Sequence, residues 1–282
     1  MKRILVPTDF SSPSKSSFRF ALDLALRARG EVFVIHMNEI PLLPETTFGI
    51  QPHPFDPEVF AKANKAALEA FESMRKECKC EVPVYFSTIN DYVVPGLRAY
   101  IDENAIDLVV MSTHGASDLQ EFFMGSTAEK ITRFSPVPVI SIPQETAVDR
   151  IKNIVFPTTL ELDQADLVKD LKALQQLLQA QLHILLINTP LNFYDDHEAR
   201  QRLERFAKHY DLQNFTLNFR SHHFERTGIL AFVNEIQADM IAMATHGRTG
   251  LAHFLKGSIA EKVLNRIDQP IWTWNIKKHK HG

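Results

Sequence analysis

Asp107-Leu-Val-Val-Met-Ser-Thr-His-Gly115 returns later in the same chain as Asp239-Met-Ile-Ala-Met-Ala-Thr-His-Gly247, an offset of 132 residues (247 − 115). The same offset relates Gly125-Ser126-Thr127-Ala-Glu-Lys130 to Gly257-Ser258-Ile259-Ala-Glu-Lys262, Gly96 to Gly228, and Pro138-Val-Ile140 to Pro270-Ile-Trp272. A register held over this length is an internal duplication, and it divides the 282 residues into two copies of one unit, set here at 1–147 and 148–282. At the N-terminal ends Ile4-Leu-Val-Pro7-Thr8 answers to Ile154-Val-Phe-Pro157-Thr158 with an offset of 150 (154 − 4). The first copy is therefore longer by 18 residues (150 − 132), which fall near Ile40 to Phe60. Pro41 to Pro57 in that region holds too many prolines for a regular helix and reads as a long surface loop or lid.

Within one copy, Lys2 to Pro7, Val32 to Met37, Leu108 to Met111 and Val137 to Ile142 are short apolar runs rich in β-branched residues, the pattern of strands buried on both faces. Ser12 to Arg29 places Phe18, Leu22, Ala25 and Leu26 at helical spacing behind a Ser11 or Ser12 cap. Val59 to Glu77, Val94 to Asn104 and Ala128 to Phe134 are further helical patterns. The order β-α-β-α-β-α-β-α-β predicts an open, Rossmann-like parallel sheet in each copy, covered by helices on both faces. Ligands of such α/β folds bind beyond the carboxyl ends of the strands, where the strand order reverses.

Composition narrows the function. Net charge is −3 and the pI about 6.5, so no global positive field attracts nucleic acid. No apolar run approaches the ~20 residues of a membrane span, and no leader-like segment precedes Ile4, so the chain reads as cytoplasmic. Cys78 and Cys80 lack the further ligands a metal site needs and read as free thiols. His222-His223 and the basic tail Lys277 to His281 likewise form no complete ligand set. Neither a Walker pattern nor a Gly-x-Gly-x-x-Gly fingerprint is present.

What remains is a glycine, nine residues, then glycine and serine, in both copies: Gly115 to Gly125-Ser126 and Gly247 to Gly257-Ser258. Glycine lets the backbone approach a phosphate closely, and the free N–H groups at the start of a helix favour an anion. Taken alone, the same residues also serve simply to turn the chain and cap a helix. His114 and His246 precede the loop glycines without a nucleophile or acid recurring beside both, which favours a positioning role over catalysis.

This pattern, together with Pro7-Thr8-Asp9-Phe10-Ser11 at the end of the first strand and Thr-His-Gly before the loop, resembles the universal stress protein family over essentially both halves. Nucleotide-binding members carry Gly, two residues, Gly, nine residues, then Gly and Ser or Thr; here Ser112 and Ala244 stand at the first glycine. The resemblance implies that Pro7, Thr8, Asp9 and Met37 surround base and ribose in the first copy. It places Met111, His114 and Gly115 at the entrance to the phosphate loop, and Gly125, Ser126 and Thr127 at the phosphates. Thr158, Ile187, Met243, His246, Gly247, Arg248, Gly257, Ser258 and Ile259 take those places in the second.

The copies differ in complementary ways. Asp9, which family members use to bond base or ribose, is Thr159 in the second copy, whereas the second loop carries Arg248, His253 and Lys256 against Asp118 and Glu121 in the first. Base recognition favours copy one and phosphate charge favours copy two.

The expected function is a stress-response regulator or sensor that holds ATP or AMP, with or without Mg2+, in at least one copy, and signals to a protein partner. The alternatives are an interaction protein with empty clefts and a slow ATP hydrolase. The last strands, Val137 to Ile142 and Pro270 to Ile276, are expected to pair within one chain as a pseudo-dimer, with further homodimerisation left open.

Overall fold

The computed structural model describes residues 1–38, 57–78, 80–113, 126–143, 145–245 and 269–275. In the first half these form β1 (Arg3–Pro7), α1 (Ser12–Ala28), β2 (Glu31–Met37), α2 (Pro57–Glu77), β3 (Val84–Ile89), α3 (Val93–Glu103), β4 (Leu108–Ser112), α4 (Ser126–Phe134) and β5 (Val139–Ile142). A short 3-10 turn at Val148–Arg150 leads into β6 (Asn153–Pro157), α5 (Ala165–Leu178), β7 (Gln181–Asn188), α6 (Asp196–His209), β8 (Phe215–Ser221), α7 (Glu225–Glu235), β9 (Met240–Thr245) and β10 (Ile271–Asn275). The alternation expected from the sequence is complete in the first half and continues through β9 in the second, where the helix expected before β10 lies outside the described residues. Ser11 caps α1, accepting from the Ser14 N–H at 3.4 Å. The last strand of the first half starts at Val139 rather than Val137, because the Ser135 hydroxyl and the Val137 backbone bond each other in a turn.

All ten strands join one sheet in the order β3-β2-β1-β4-β5-β10-β9-β6-β7-β8. Every neighbouring pair is parallel except β5 and β10, which run antiparallel with Trp272 opposite Ile140 and Thr273 opposite Val139. The last strands thus meet within one chain. On one face α1, α2, α5 and α6 cover a single apolar cluster that runs through both halves, from Ile4, Phe18 and Leu24 to Leu171, Phe206 and Trp274. On the other face the core is split in two: α3 and α4 cover Leu5, Ile35 and Val109, and α7 covers Val155, Leu185 and Ile241.

The duplication reaches into details of the backbone. Asp107 accepts from the N–H groups of Lys2 and Arg3 at 2.6 and 3.0 Å, and its counterpart Asp239 from those of Lys152 and Asn153 at 2.9 and 2.8 Å. Each aspartate ties the start of the first strand of its half to the start of the fourth. Left-handed φ values recur at matched positions: Phe10 and Leu160 (61° and 64°), Arg29 and Gln179 (48° and 53°), Ala105 and Gln237 (46° and 51°). The extra residues of the first half lie between the end of β2 and the end of α2: Met37 is followed by helix at Pro57, whereas Asn188 is followed by helix at Asp196. Part of that length extends α2, which has 21 residues against 14 in α6.

Trp272 is fully buried on β10, between strands of both halves, and its indole N–H has no hydrogen-bond partner among the described residues. Trp274 on the same strand donates to Asp170 of α5 at 2.9 Å. Trp272→Ala is expected to cost about 3–5 kcal/mol in urea unfolding. Trp272→Phe, which keeps most of the ring and removes the orphaned donor, should cost less than about 1.5 kcal/mol. Equal losses for the two would show that the cavity is not what matters.

Where the first half has Phe33, β7 carries His183, 8% exposed. Its Nε2–H donates to Asn153 Oδ1 at 3.1 Å, since an amide oxygen only accepts, and its Nδ1 accepts from the Thr216 hydroxyl at 2.8 Å. Asn153 in turn donates to Asp239 at 3.2 Å. Burial holds the His183 imidazole below its usual pKa, so the folded state keeps it neutral where the unfolded chain takes up a proton. The resulting stability is full above the unfolded value of about 6.5 and is lost as pH falls from there through the lowered folded value. Urea midpoints between pH ~7.5 and ~5 should fall for the wild type and fall less for His183→Gln.

Candidate functional site

In each half the strand order reverses beside the first strand. The chain runs from β1 outward through β2 to β3 and returns to β4 on the other flank of β1, and it does the same from β6 through β7 and β8 to β9. Helices α1 and α2 lie on one face and α3 and α4 on the other, and the carboxyl ends of β1 and β4 are the edge at which α/β folds of this kind bind their ligands.

The turn leaving β1 is built by Thr8. Its N–H extends the ladder to Ile35 O at 2.8 Å, while its buried hydroxyl accepts from the Phe10 N–H and shares a hydrogen bond with Ser14 Oγ, both at 3.0 Å. Holding Phe10 left-handed lays its ring against His36, 5.0 Å between centroids, and the His36 Nδ1–H donates to Thr8 O at 2.8 Å. Asp9 projects from this turn and is exposed. Its Oδ1 accepts from the Ser11 N–H at 3.0 Å and the Ser11 hydroxyl at 2.5 Å, which fixes the carboxylate at the start of α1. The second half repeats the turn: Thr158 N–H donates to Leu185 O and Thr158 Oγ1 accepts from the Leu160 N–H, both at 3.0 Å, with the exposed Thr159 in the aspartate's place.

Pro7 ends β1, Met37 ends β2, and Met111 lies one residue from the end of β4. Both methionines pack on the α3/α4 face, Met111 buried and Met37 half-buried. Ser126 is the first residue of α4, followed by the exposed Thr127. In the second half Ile187 and Met243 share the α7 face, Ile187 being 8% exposed. The structure thus gathers Pro7, Thr8, Asp9, Met37 and Met111 at one carboxyl edge and Thr158, Ile187 and Met243 at another. His114, Gly115 and Gly125 lie outside the described residues, as do His246, Gly247, Arg248, Gly257, Ser258 and Ile259, the Pro41 to Asp56 stretch and the carboxylates Asp118 and Glu121.

Sequence reading passed over the asparagine at the carboxyl end of the second strand of each copy, Asn38 just after β2 and Asn188 as the last residue of β7. Asn38 donates through Nδ2 to Asn64 of α2 and to Asn90 after β3, both at 2.8 Å. Its counterpart Asn188 instead grips Tyr194, accepting from its N–H at 2.8 Å and donating to its carbonyl at 3.0 Å. That grip closes the short loop before α6, and Arg202 stacks over the Tyr194 ring at 4.3 Å. The equal spacing of Asn38 and Asn188 after Thr8 and Thr158 was the available signal. Gly96 and Gly228 have a steric reason: a Cβ on Gly228 would meet Ile187 and His222 at 3.0 Å, and one on Gly96 would meet Ile89 at 2.9 Å. His222 is engaged locally, its Nδ1 accepting from the Thr227 hydroxyl at 2.7 Å. Among the described residues no group of three or more His, Cys, Asp or Glu side chains is placed to hold a metal ion, and no helix is long and apolar enough to cross a membrane.

Two units, each with the strand order reversing beside its first strand, place the chain among doubly wound α/β proteins. The profile of the universal stress protein family matches residues 1–143 and 150–273, and the chain belongs to that family. Among its relatives, a universal stress protein of Bacillus subtilis is 27% identical over 145 residues, covering 50% of this chain and 97% of its own length. One of Methanocaldococcus jannaschii is 23% identical over 161 residues, covering 52% and 97%. Among solved structures, a universal stress protein from Archaeoglobus fulgidus superposes over 97% of this chain and 96% of its own with a TM-score of 0.68 at 20% identity, a likeness of fold.

Thr158→Val keeps the side-chain shape and removes the acceptor of the Leu160 N–H. The expected loss is about 1–2 kcal/mol of folding stability in a denaturant titration. No loss would mean that the turn is held by its backbone alone.

Proposed function

We propose that this protein binds an adenine nucleotide, ATP or AMP, in at least one of its two carboxyl-edge crevices, and that occupancy alters its shape or its choice of protein partner in a cytoplasmic stress response. The observation that carries the reading is Asp9, an exposed carboxylate fixed by two bonds to Ser11 beside the β1–β4 reversal point, on the edge from which α4 begins at Ser126. A carboxylate held in this way is an acceptor prepared for ribose hydroxyls or a base amino group, and the first turn of a helix offers N–H donors to phosphate. The division at 147/148 into two units, each with its own crevice, is part of the same reading. Magnesium, where present, would arrive on the triphosphate. Turnover is not required; a slow hydrolase would need a water-positioning base and a metal-holding carboxylate.

A second reading, an interaction protein with empty clefts, is favoured by Ser112 and Ala244 at the position of the family's first glycine. Calorimetric titration of nucleotide-stripped protein with ATP and then AMP separates the two. Micromolar or tighter binding supports the first, and its stoichiometry gives the number of working crevices; no binding leaves the second.

In the first case Asp9→Ala should remove charge-assisted hydrogen bonds worth about 1.5–3 kcal/mol and weaken binding by roughly ten- to a hundredfold. A melting curve run in parallel reports any loss of the Ser11 contacts. Unchanged affinity would take Asp9 out of the site and leave the second half, with Arg248 and Lys256 in its loop, as the binding copy.

A further inference from the structure

Glu77 and His209, the last residues of α2 and α6, keep the offset of 132, and so do Asn64 and Asp196, where α6 begins. Helix α2 therefore runs seven residues further (21 − 14), from Pro57 to Ala63, which at 1.5 Å per residue is about 10 Å of additional helix. Its height against the sheet is fixed at Asn64. The Asn64 Oδ1 accepts from Asn38 Nδ2 at 2.8 Å, the same amide donates to Asn90 Oδ1 at 2.8 Å, and the Asn38 N–H donates to Ile89 O at 2.8 Å. Asn38 and Asn90 directly follow β2 and β3, so Asn64 marks the carboxyl edge of the first half, and the seven residues before it stand beyond that edge.

The inward face of α2 is set by the buried Ala67 and Met74, and by Phe71, which stacks on Phe86 of β3 at 4.5 Å. Phe86 in turn lies 6.3 Å from Phe10, the residue after Asp9. Residues seven apart share a helix face, so the half-buried Phe60 continues the stripe of Ala67 and Met74, one turn past Asn64. A phenyl ring is thus carried about 6 Å beyond the level at which β2 ends, on the helix face that packs toward the Asp9 turn. At the same offset the second half has Asn192, in the short loop before α6.

We propose that Phe60 is the aromatic wall of the base subsite in the first half, a specificity-determining residue that stacks on the purine ring; this rests on the nucleotide reading above. A base offers a flat π-face that an aromatic side chain covers, while Asp9 serves the sugar or the base edge. The longer α2 supplies that wall in the half that keeps Asp9 and not in the half that carries Thr159.

The test is calorimetric titration of the nucleotide-stripped full chain with ATP, comparing wild type with Phe60→Ala, Phe60→Leu and Phe60→Tyr, with a melting curve of each to show that it is folded. Phe60→Ala and Phe60→Leu should both weaken ATP binding by roughly five- to a hundredfold, leucine because it fills the space without a π-face, and Phe60→Tyr should stay within about threefold of wild type. Wild-type affinity in Phe60→Leu would show that the ring is not what matters and overturns the proposal, as does a tyrosine variant no better than the alanine one. ATP binding that Phe60→Ala leaves unchanged overturns this proposal alone. Absence of ATP binding by the wild type overturns it together with the nucleotide reading.

Discussion

Strand β10 has a partner on each side: β9 of its own half, parallel, and β5 of the other, antiparallel. Without β10 the first half would end in the bare edge of β5 and the second in that of β9, rows of unpaired N–H and C=O groups open to other chains. Burying Trp272 there extends the core on one face across the junction, from α1 and α2 to α5 and α6. The hydroxyl of Thr273 adds a bond to Val139 O at 3.3 Å, and Asn275 reaches Arg133 O in the last turn of α4 at 2.6 Å. Helix α4 is thus anchored at its C-terminus by the opposite half. The position matching Asn275 in the first half is Pro143 (275 − 132), which has no donor to return the contact, so the junction is not symmetric.

The fold was readable because strands buried on both faces must be apolar throughout, and because the chain wrote the pattern twice. Val32 to Met37 and Leu108 to Met111 stand out as unbroken apolar runs. β3 and β8 lie at the outer edges of the sheet, and neither Val84–Ile89 nor Phe215–Ser221 is a run of that kind; the alternation required a strand there without locating it. The caps were legible where chemistry is local, as at Ser11. The left-handed residues were not, because Phe10, Leu160, Arg29 and Gln179 are residue types that seldom adopt that conformation; tertiary packing and the Thr8 and Thr158 hydroxyls impose it.

At the first-strand turn, sequence named Thr8 and Asp9 but not the bonds that hold them. Thr8 reads as a ligand contact, yet its hydroxyl is already committed to Phe10 and Ser14, leaving Asp9 as the side chain that projects. Asn38 and Asn188 show why a repeat is informative and also where it misleads. The same residue at the same distance from the turn ties α2 to β3 in one half and locks a short loop in the other. What differs is not the asparagine but the length of chain that follows it, and no inspection of position 38 or 188 alone reveals that.

The antiparallel seam between β5 and β10 also settles orientation. All strands of one half end on the same rim of the sheet, and reversal at the seam sends the strands of the other half to the opposite rim. The carboxyl edges of the two halves therefore lie on opposite rims of the sheet. Thr8 and Asp9 thus stand at one rim and Thr158 and Thr159 at the other. Joining the copies through their last strands leaves each edge to vary apart from the other, as Asp9 and Thr159 already do.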